Sequence, residues 1–264
     1  MNLLLLPQHP PLFWLTAILA VTFVGIAKAG FGGGAGIVAT PLLALTIPVP
    51  EAAALLLPLL IIIDLLSIGP YRRHADIPSL RILLPAATLG IILGALFFRA
   101  FSDDERLLQI GIGLLALLFI AYQALRALRP GALPAQRPPA GAGLLLGTLA
   151  GFASTLAHAG GPPVAVYLLP QKLPQERFVG TSVLFFTAVN LLKLVPYALL
   201  GLLRAGNLAT ILLLSPLTLV GVALGIYLNR RFDPTWYNRV VYTILLLTAV
   251  QLLSGRSPLT FLLQ

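Results

Sequence analysis

Gly30-Phe31-Gly32-Gly33-Gly34-Ala35-Gly36 interrupts an apolar run that opens near residue 12 and closes near 47. As a single helix, that run would be about 54 Å long, against roughly 30 Å of hydrocarbon in a bilayer. Cut at the glycines, it leaves arms over 12–29 and 35–47. The second arm reaches only about 20 Å, too little to span comfortably. A matching interruption, His158-Ala159-Gly160-Gly161-Pro162-Pro163, divides 141–157 from 162–170. This short arm would reach about 14 Å. Each pair reads as a hairpin that enters the bilayer, turns at its glycines and returns to the side it left. Backbone that is not helical at such depth must be buried in protein or line a wet cavity.

Six further apolar segments are each long enough to cross: 51–69, 82–100, 106–125, 176–200, 208–228 and 237–253. The composition agrees. Of 264 residues, 58% are hydrophobic and 9% charged, and there is no cysteine; the mean hydropathy is +0.97. A soluble domain carries about 25% charged residues. The balance excludes a soluble enzyme, a disulfide scaffold and a disordered chain. It leaves an all-α polytopic membrane protein in the lipid bilayer. Residues 1–11 carry no Lys or Arg, so they read as an uncleaved lead-in to the first helix rather than a signal peptide.

The net charge of +9 is explained by its placement. With loop 70–81 cytoplasmic, alternation puts 126–140, 170–177 and 229–239 on the same side. These loops hold 11 of the 17 Lys and Arg; the opposite side holds 4, and Lys28 and Lys193 lie inside membrane segments. That is the positive-inside pattern, with both termini outside. No nucleic-acid partner is needed to account for the charge.

Offset by 126 residues, the sequence matches itself. Gly25 falls on Gly151, Gly34 on Gly160, Pro48 on Pro174, Pro70-Tyr71 on Pro196-Tyr197, and Asp64 on Asn190. Each half holds one hairpin and three spans. Three is odd, so the second half is inverted. The expected organisation is a first transmembrane repeat over 1–129, a Pro-rich cytoplasmic linker over 130–139, and a second, inverted repeat over 140–264. Inverted repeats with breaks at matching positions point to a secondary transporter whose ligand lies where the breaks meet. Isolated glycines such as Gly90, Gly94, Gly111 and Gly113 read instead as close helix packing.

These residues resemble the sulfite exporter TauE/SafE family. The resemblance rests on Gly25-Ile-Ala-Lys28-Ala-Gly30-Phe-Gly32-Gly33-Gly34 with Thr40-Pro41-Leu-Leu43. In the second half it rests on Ala157-His158-Ala-Gly160-Gly161-Pro162-Pro163, Tyr167-Leu-Leu-Pro170-Gln171 and Phe178-Val-Gly180-Thr181-Ser182. It covers about 12–253. It implies export or exchange of sulfite, sulfonates or related sulfur oxyanions across a bacterial cytoplasmic membrane, with no cofactor or metal.

An oxyanion in the membrane needs donors to replace its water. Helices starting just after Gly32-Gly33-Gly34 and Gly160-Gly161 would offer free N–H groups and positive dipole ends. Lys28 either supplies charge to the anion or snorkels to an interface. His158 either donates to the anion or exchanges a proton; as a plain structural residue it would be neutral and bonded to backbone. Asp64 is read as pairing with a lysine or carrying a coupling proton, with Asn190 its symmetry mate and Lys193 one turn on. Thr40 belongs to the first break. Thr181 and Ser182 either line the path or bond the preceding helical turn. The rivals left open are a carrier of another anion or small acid, a channel, and a membrane-embedded hydrolase, though no carboxylate pair supports the last. The oligomeric state is also open, a homodimer among the options.

Overall fold

The structure is a computed structural model and describes residues 9–31, 36–71, 73–101, 103–127, 136–231 and 234–255. Every regular element among them is helical. In chain order they are α1 (Pro11–Phe31), a 3₁₀ turn (Gly36–Val38), α2 (Ala39–Leu43), α3 (Val49–Tyr71), α4 (Ile77–Phe101) and α5 (Glu105–Ala127). The second half runs α6 (Ala140–Ala157), α7 (Gly161–Leu168), a 3₁₀ turn (Leu169–Gln171), α8 (Gln175–Leu199), α9 (Leu208–Arg231, after a 3₁₀ turn at Ala205–Asn207) and α10 (Pro234–Ser254).

Seven of these helices, α1, α3, α4, α5, α6, α8 and α9, are long and apolar enough to cross a membrane. The described apolar part of α10 is the shorter Arg239–Ser254. Large apolar side chains face outward along the bundle, among them Leu15, Leu89, Leu118, Leu145, Leu199 and Leu247. In water this would be an aggregating surface; in lipid it is the solvated one.

Two expectations are corrected. Segments 12–29 and 141–157 were read as arms of hairpins, yet α1 and α6 each have spanning length by themselves. The segment 35–47 was read as one helix, but only Gly36–Val38 and Ala39–Leu43 are helical. After Leu43 the chain turns: Thr46 Oγ1 and the Ile47 amide both bond the Leu43 carbonyl, and Pro48 cannot extend a helix through its missing N–H.

The return of each hairpin is nonetheless visible. Thr46 Oγ1 lies 3.3 Å from Thr16 Oγ1, near the start of α1. The Gln136 amide, just before α6, bonds the Pro170 carbonyl at 3.0 Å. Both chains have therefore come back to the level from which they set out.

Helix pairing follows from small residues. α1 crosses α9 where Gly25 meets Gly221 and Gly30 meets Gly225. α4 crosses α6 where Gly90 meets Thr148 and Gly151 meets Ala87. α3 packs on α8, and α5 on α10, the latter where Gly113 meets Ala249 and Leu253. Gly94 also packs against α6, but Gly111 has nothing within 4 Å, so the packing role expected of it is not seen. Without a hydrophobic force between helices in lipid, such close backbone approach supplies the association.

Exchanging the halves maps α1 on α9 onto α6 on α4, and leaves α3 on α8 and α5 on α10 unchanged. Two of the buried apolar clusters obey the same exchange. One joins α1, α2, α3 and α9 through Phe13, Leu43, Leu56 and Leu214. The other joins α6, α7, α8 and α4 through Ala150, Tyr167, Phe185 and Leu83. A third cluster brings α5 and α10 against the ends of the breaks. Single bonds repeat as well. Tyr71 OH donates to the Ala29 carbonyl and Tyr197 OH to the Thr155 carbonyl, and both residues of the second pair lie 126 positions after those of the first.

Candidate functional site

The second break starts where α6 stops. His158 takes the left-handed conformation, φ 52° and ψ 26°. Its amide bonds the Ser154 carbonyl, the bond of an αL helix stop, and the Ala159 amide bonds back to Ala153. A non-glycine residue there is held against its preference. Gly160 has an ordinary φ of −72°. It is needed for space, since a Cβ would lie 2.8 Å from the Ala150 carbonyl oxygen and 3.2 Å from the Phe186 ring. Pro162 and Pro163 then occupy the first turn of α7, where a missing N–H loses nothing.

That turn delivers His158 to a centre between α3 and α8. His158 Nε2 lies 2.9 Å from the Ala53 carbonyl oxygen of α3, and Nδ1 lies 2.8 Å from Lys193 Nζ of α8. A carbonyl only accepts and an ammonium only donates. The ring is therefore the neutral Nε2–H tautomer. Lys193 Nζ also bonds the carbonyl and hydroxyl oxygens of Ser154, each at 3.0 Å.

Lys28 of α1 forms an ion pair with Asp64 of α3. The other Asp64 oxygen accepts from Asn190 Nδ2 at 2.6 Å. Lys28 Nζ sits 5.5 Å from the centre of the Phe186 ring, within cation–π range. Lys28, Asp64, Asn190 and Lys193 are all buried. Between them lies a small cavity lined by Val24, Lys28, Leu60, Ser154, His158, Gly161, Phe186 and Asn190. About 20 Å³ is open to the centres of water molecules, room for one or two waters. An oxyanion fits only after the walls move.

The sequence-predicted residues divide as follows. Lys28, His158, Gly161 and Asn190 line the cavity, and Asp64 and Lys193 hold them there. Gly160 shapes the turn behind it. Gly30 packs on α9 instead, and Gly32, Gly33 and Gly34 lie outside the described residues. Thr40 and Ser182 are buried with no hydrogen-bond partner for their hydroxyls among the described residues. Ser182 shares a helix face with Phe186 and Asn190, at steps of four.

Thr181 belongs to a different cluster. Its hydroxyl donates to the Arg177 carbonyl and accepts from the Asp76 amide. Asp76, just before α4, caps Ser79 and pairs with Arg137 and Arg177. Burial pushes the Asp76 carboxyl up, but the Ser79 bonds and the two arginines outweigh it and hold it below the usual carboxylate range. This cluster ties the segment before α6 to the α3–α4 loop.

Ser154 and Phe186 were missed. A signal for Ser154 exists: the 126-residue offset places it on Lys28, just as it places Asn190 on Asp64. The first half puts its lysine on the hairpin helix and the second puts it on the long helix. Nothing marks Phe186 in a chain so rich in apolar residues.

A bundle of membrane-length helices around buried lysines defines a multi-pass membrane protein with an internal polar site. The family model for the sulfite exporter TauE/SafE matches residues 17–252. The chain belongs to that family, whose members are transporters of small sulfur anions. No curated protein and no solved structure matches it.

Proposed function

We propose that this protein is a secondary transporter that exports sulfite, an organosulfonate or a related sulfur oxyanion across the bacterial inner membrane by alternating access. One observation carries the reading: a small cavity among buried charged residues is faced by Lys28, with Lys193 one residue behind its wall. Buried charge in a membrane is costly and marks a ligand or ion path. The anion would meet Lys28, the free amide proton of Asn190 and the Gly161 amide at the start of α7, where Pro162 and Pro163 have no N–H to add. His158 and Lys193 support the opposite wall. Under this reading the two halves, 1–129 and 140–264, are inverted repeats joined by a cytoplasmic linker, and the exchange of helix pairs supports it.

The test is a thermal-shift screen of the purified protein with sulfite, methanesulfonate, thiosulfate, sulfate, acetate and nitrate. Stabilisation by a sulfur oxyanion at millimolar concentration and by no carboxylate is expected. Stabilisation by acetate alone would replace the sulfur anion with a small acid. A second expectation concerns orientation. Fusion reporters placed after residue 264 and within 130–139 should read opposite sides of the membrane; reporters on the same side would remove the inversion.

A further inference from the structure

The hydrogen bonds limit the protonation states open to the buried groups around the cavity. Lys193 Nζ has three acceptors, the Ser154 carbonyl, the Ser154 hydroxyl and His158 Nδ1. An ammonium would give one proton to each, whereas a neutral amine would give two and accept the Ser154 hydroxyl proton. His158 spends its own proton on Ala53 and is neutral. Lys28 faces Asp64 as an ion pair, and Asn190 completes the Asp64 carboxylate. With Lys193 as an ammonium, two positive charges stand against one negative charge. The shell is otherwise apolar, with Val24, Leu60 and Phe186 on the cavity wall. The buried charged residues among those described are these three and Asp76, which its own arginines neutralise at the loop.

From this count we infer that the site selects its ligand by charge. It takes a singly charged oxyanion, hydrogensulfite or an organosulfonate, and refuses the doubly charged ions sulfate and sulfite. A monoanion cancels the one unbalanced charge. A dianion leaves a net negative charge in an apolar shell, where an unpaired charge is strongly disfavoured. Sulfite and sulfate have similar sizes and the same donor requirements, so charge would discriminate where shape cannot. The inference rests on the sulfur-oxyanion reading above for the identity of the ligand. The charge rule itself rests on the bonding around Lys28, Asp64, His158 and Lys193.

The experiment measures binding to the purified wild-type protein for two pairs of compounds: methanesulfonate against sulfate, and acetate against malonate. Sulfite is titrated separately across the pH range in which hydrogensulfite loses its proton. Methanesulfonate is expected to bind at least about tenfold more tightly than sulfate. Apparent sulfite affinity should fall as pH rises, in step with the hydrogensulfite fraction, while methanesulfonate affinity stays flat. Any titration of His158, Lys193, Lys28 or Asp64 would move both curves together, so the difference between them reports the ligand.

Asp64→Asn keeps the size of the side chain and an acceptor for Asn190 but adds one net positive charge. It should bring sulfate binding up at least about tenfold relative to methanesulfonate. If that variant does not fold, the wild-type pH comparison decides alone. Equal binding of monoanion and dianion in the wild type overturns the charge rule. Binding of acetate, refusal of malonate and failure of every sulfur compound overturn the sulfur reading and keep the charge rule. Binding of nothing overturns both.

Discussion

Gly151→Leu is expected to remove the folded protein. A Cβ at this position would lie 2.0 Å from the Ala87 carbonyl oxygen and 2.9 Å from its Cα. Those are backbone atoms of α4, so no rotamer change relieves the contact. Inserting bulk into a packed core costs about 1–3 kcal/mol when neighbouring side chains can shift. Here two helices must separate, and the seam between α4 and α6 is among the closest in the bundle. The measurement is the monodisperse yield after detergent extraction, together with the melting temperature. Gly111→Leu is the matched control, because nothing lies within 4 Å of a Cβ there. It should extract and melt like the parent. A Gly151→Leu protein with unchanged melting would show that the α4–α6 seam is not as described.

Lys28→Gln is expected to have two separable effects. It leaves Asp64 buried without its cation, and breaking one side of a buried ion pair costs about 3–5 kcal/mol. Asp64→Asn should destabilise on the same scale, leaving the Lys28 ammonium unpaired. The double variant replaces both charges with amides that can bond each other and should recover most of the loss. Binding behaves differently. Both variants that lack the lysine should lose about 5- to 150-fold in affinity for a sulfur oxyanion, the value of one charge-assisted hydrogen bond. Restored stability with affinity still lost assigns Lys28 both roles. Restored stability together with restored affinity would make the lysine purely structural.

The breaks and the spans were legible in the sequence, because glycine runs stand out against long stretches of Leu and Ala. The spans over 82–100 and 106–125 lie within α4 and α5, with ends a few residues away. The bond between Asp64 and Asn190 joins two residues that the 126-residue offset had already placed together. Depth was not legible. Apolar length says that a helix can cross, but not where the chain will turn, so α1 and α6 were taken as partial arms. The turn residue was hidden too. His158, not a glycine, holds the left-handed position, because the backbone bonds of the helix stop and its own side-chain contacts fix it there. In sequence Thr181 was left between lining the path and bonding the preceding helical turn, and its hydroxyl makes that turn bond to the Arg177 carbonyl. Only the fold shows that the chain before α4 returns to meet it. The pairing of Lys193 with His158 joins residues 35 apart on different helices, beyond any local pattern.

In the alternating-access mechanism proposed above, the exchange of partners between halves would set which helices move together. The helices α1, α2 and α3 share a core with α9, while α6, α7 and α8 share one with α4. The mechanical units are thus mixed, each borrowing one helix from the other half of the chain. Most bonds of the centre stay within one unit: Lys28 with Asp64 in the first, and Lys193 with Ser154 and His158 in the second. Among the side-chain hydrogen bonds at the centre, Asn190 to Asp64 and His158 to Ala53 straddle the divide. Sliding one unit along the other interrupts those two bonds and leaves both charged groups with their own partners. Lys28 rides on one body and Gly161 on the other, so an anion touching both would act as a removable rivet across the sliding plane.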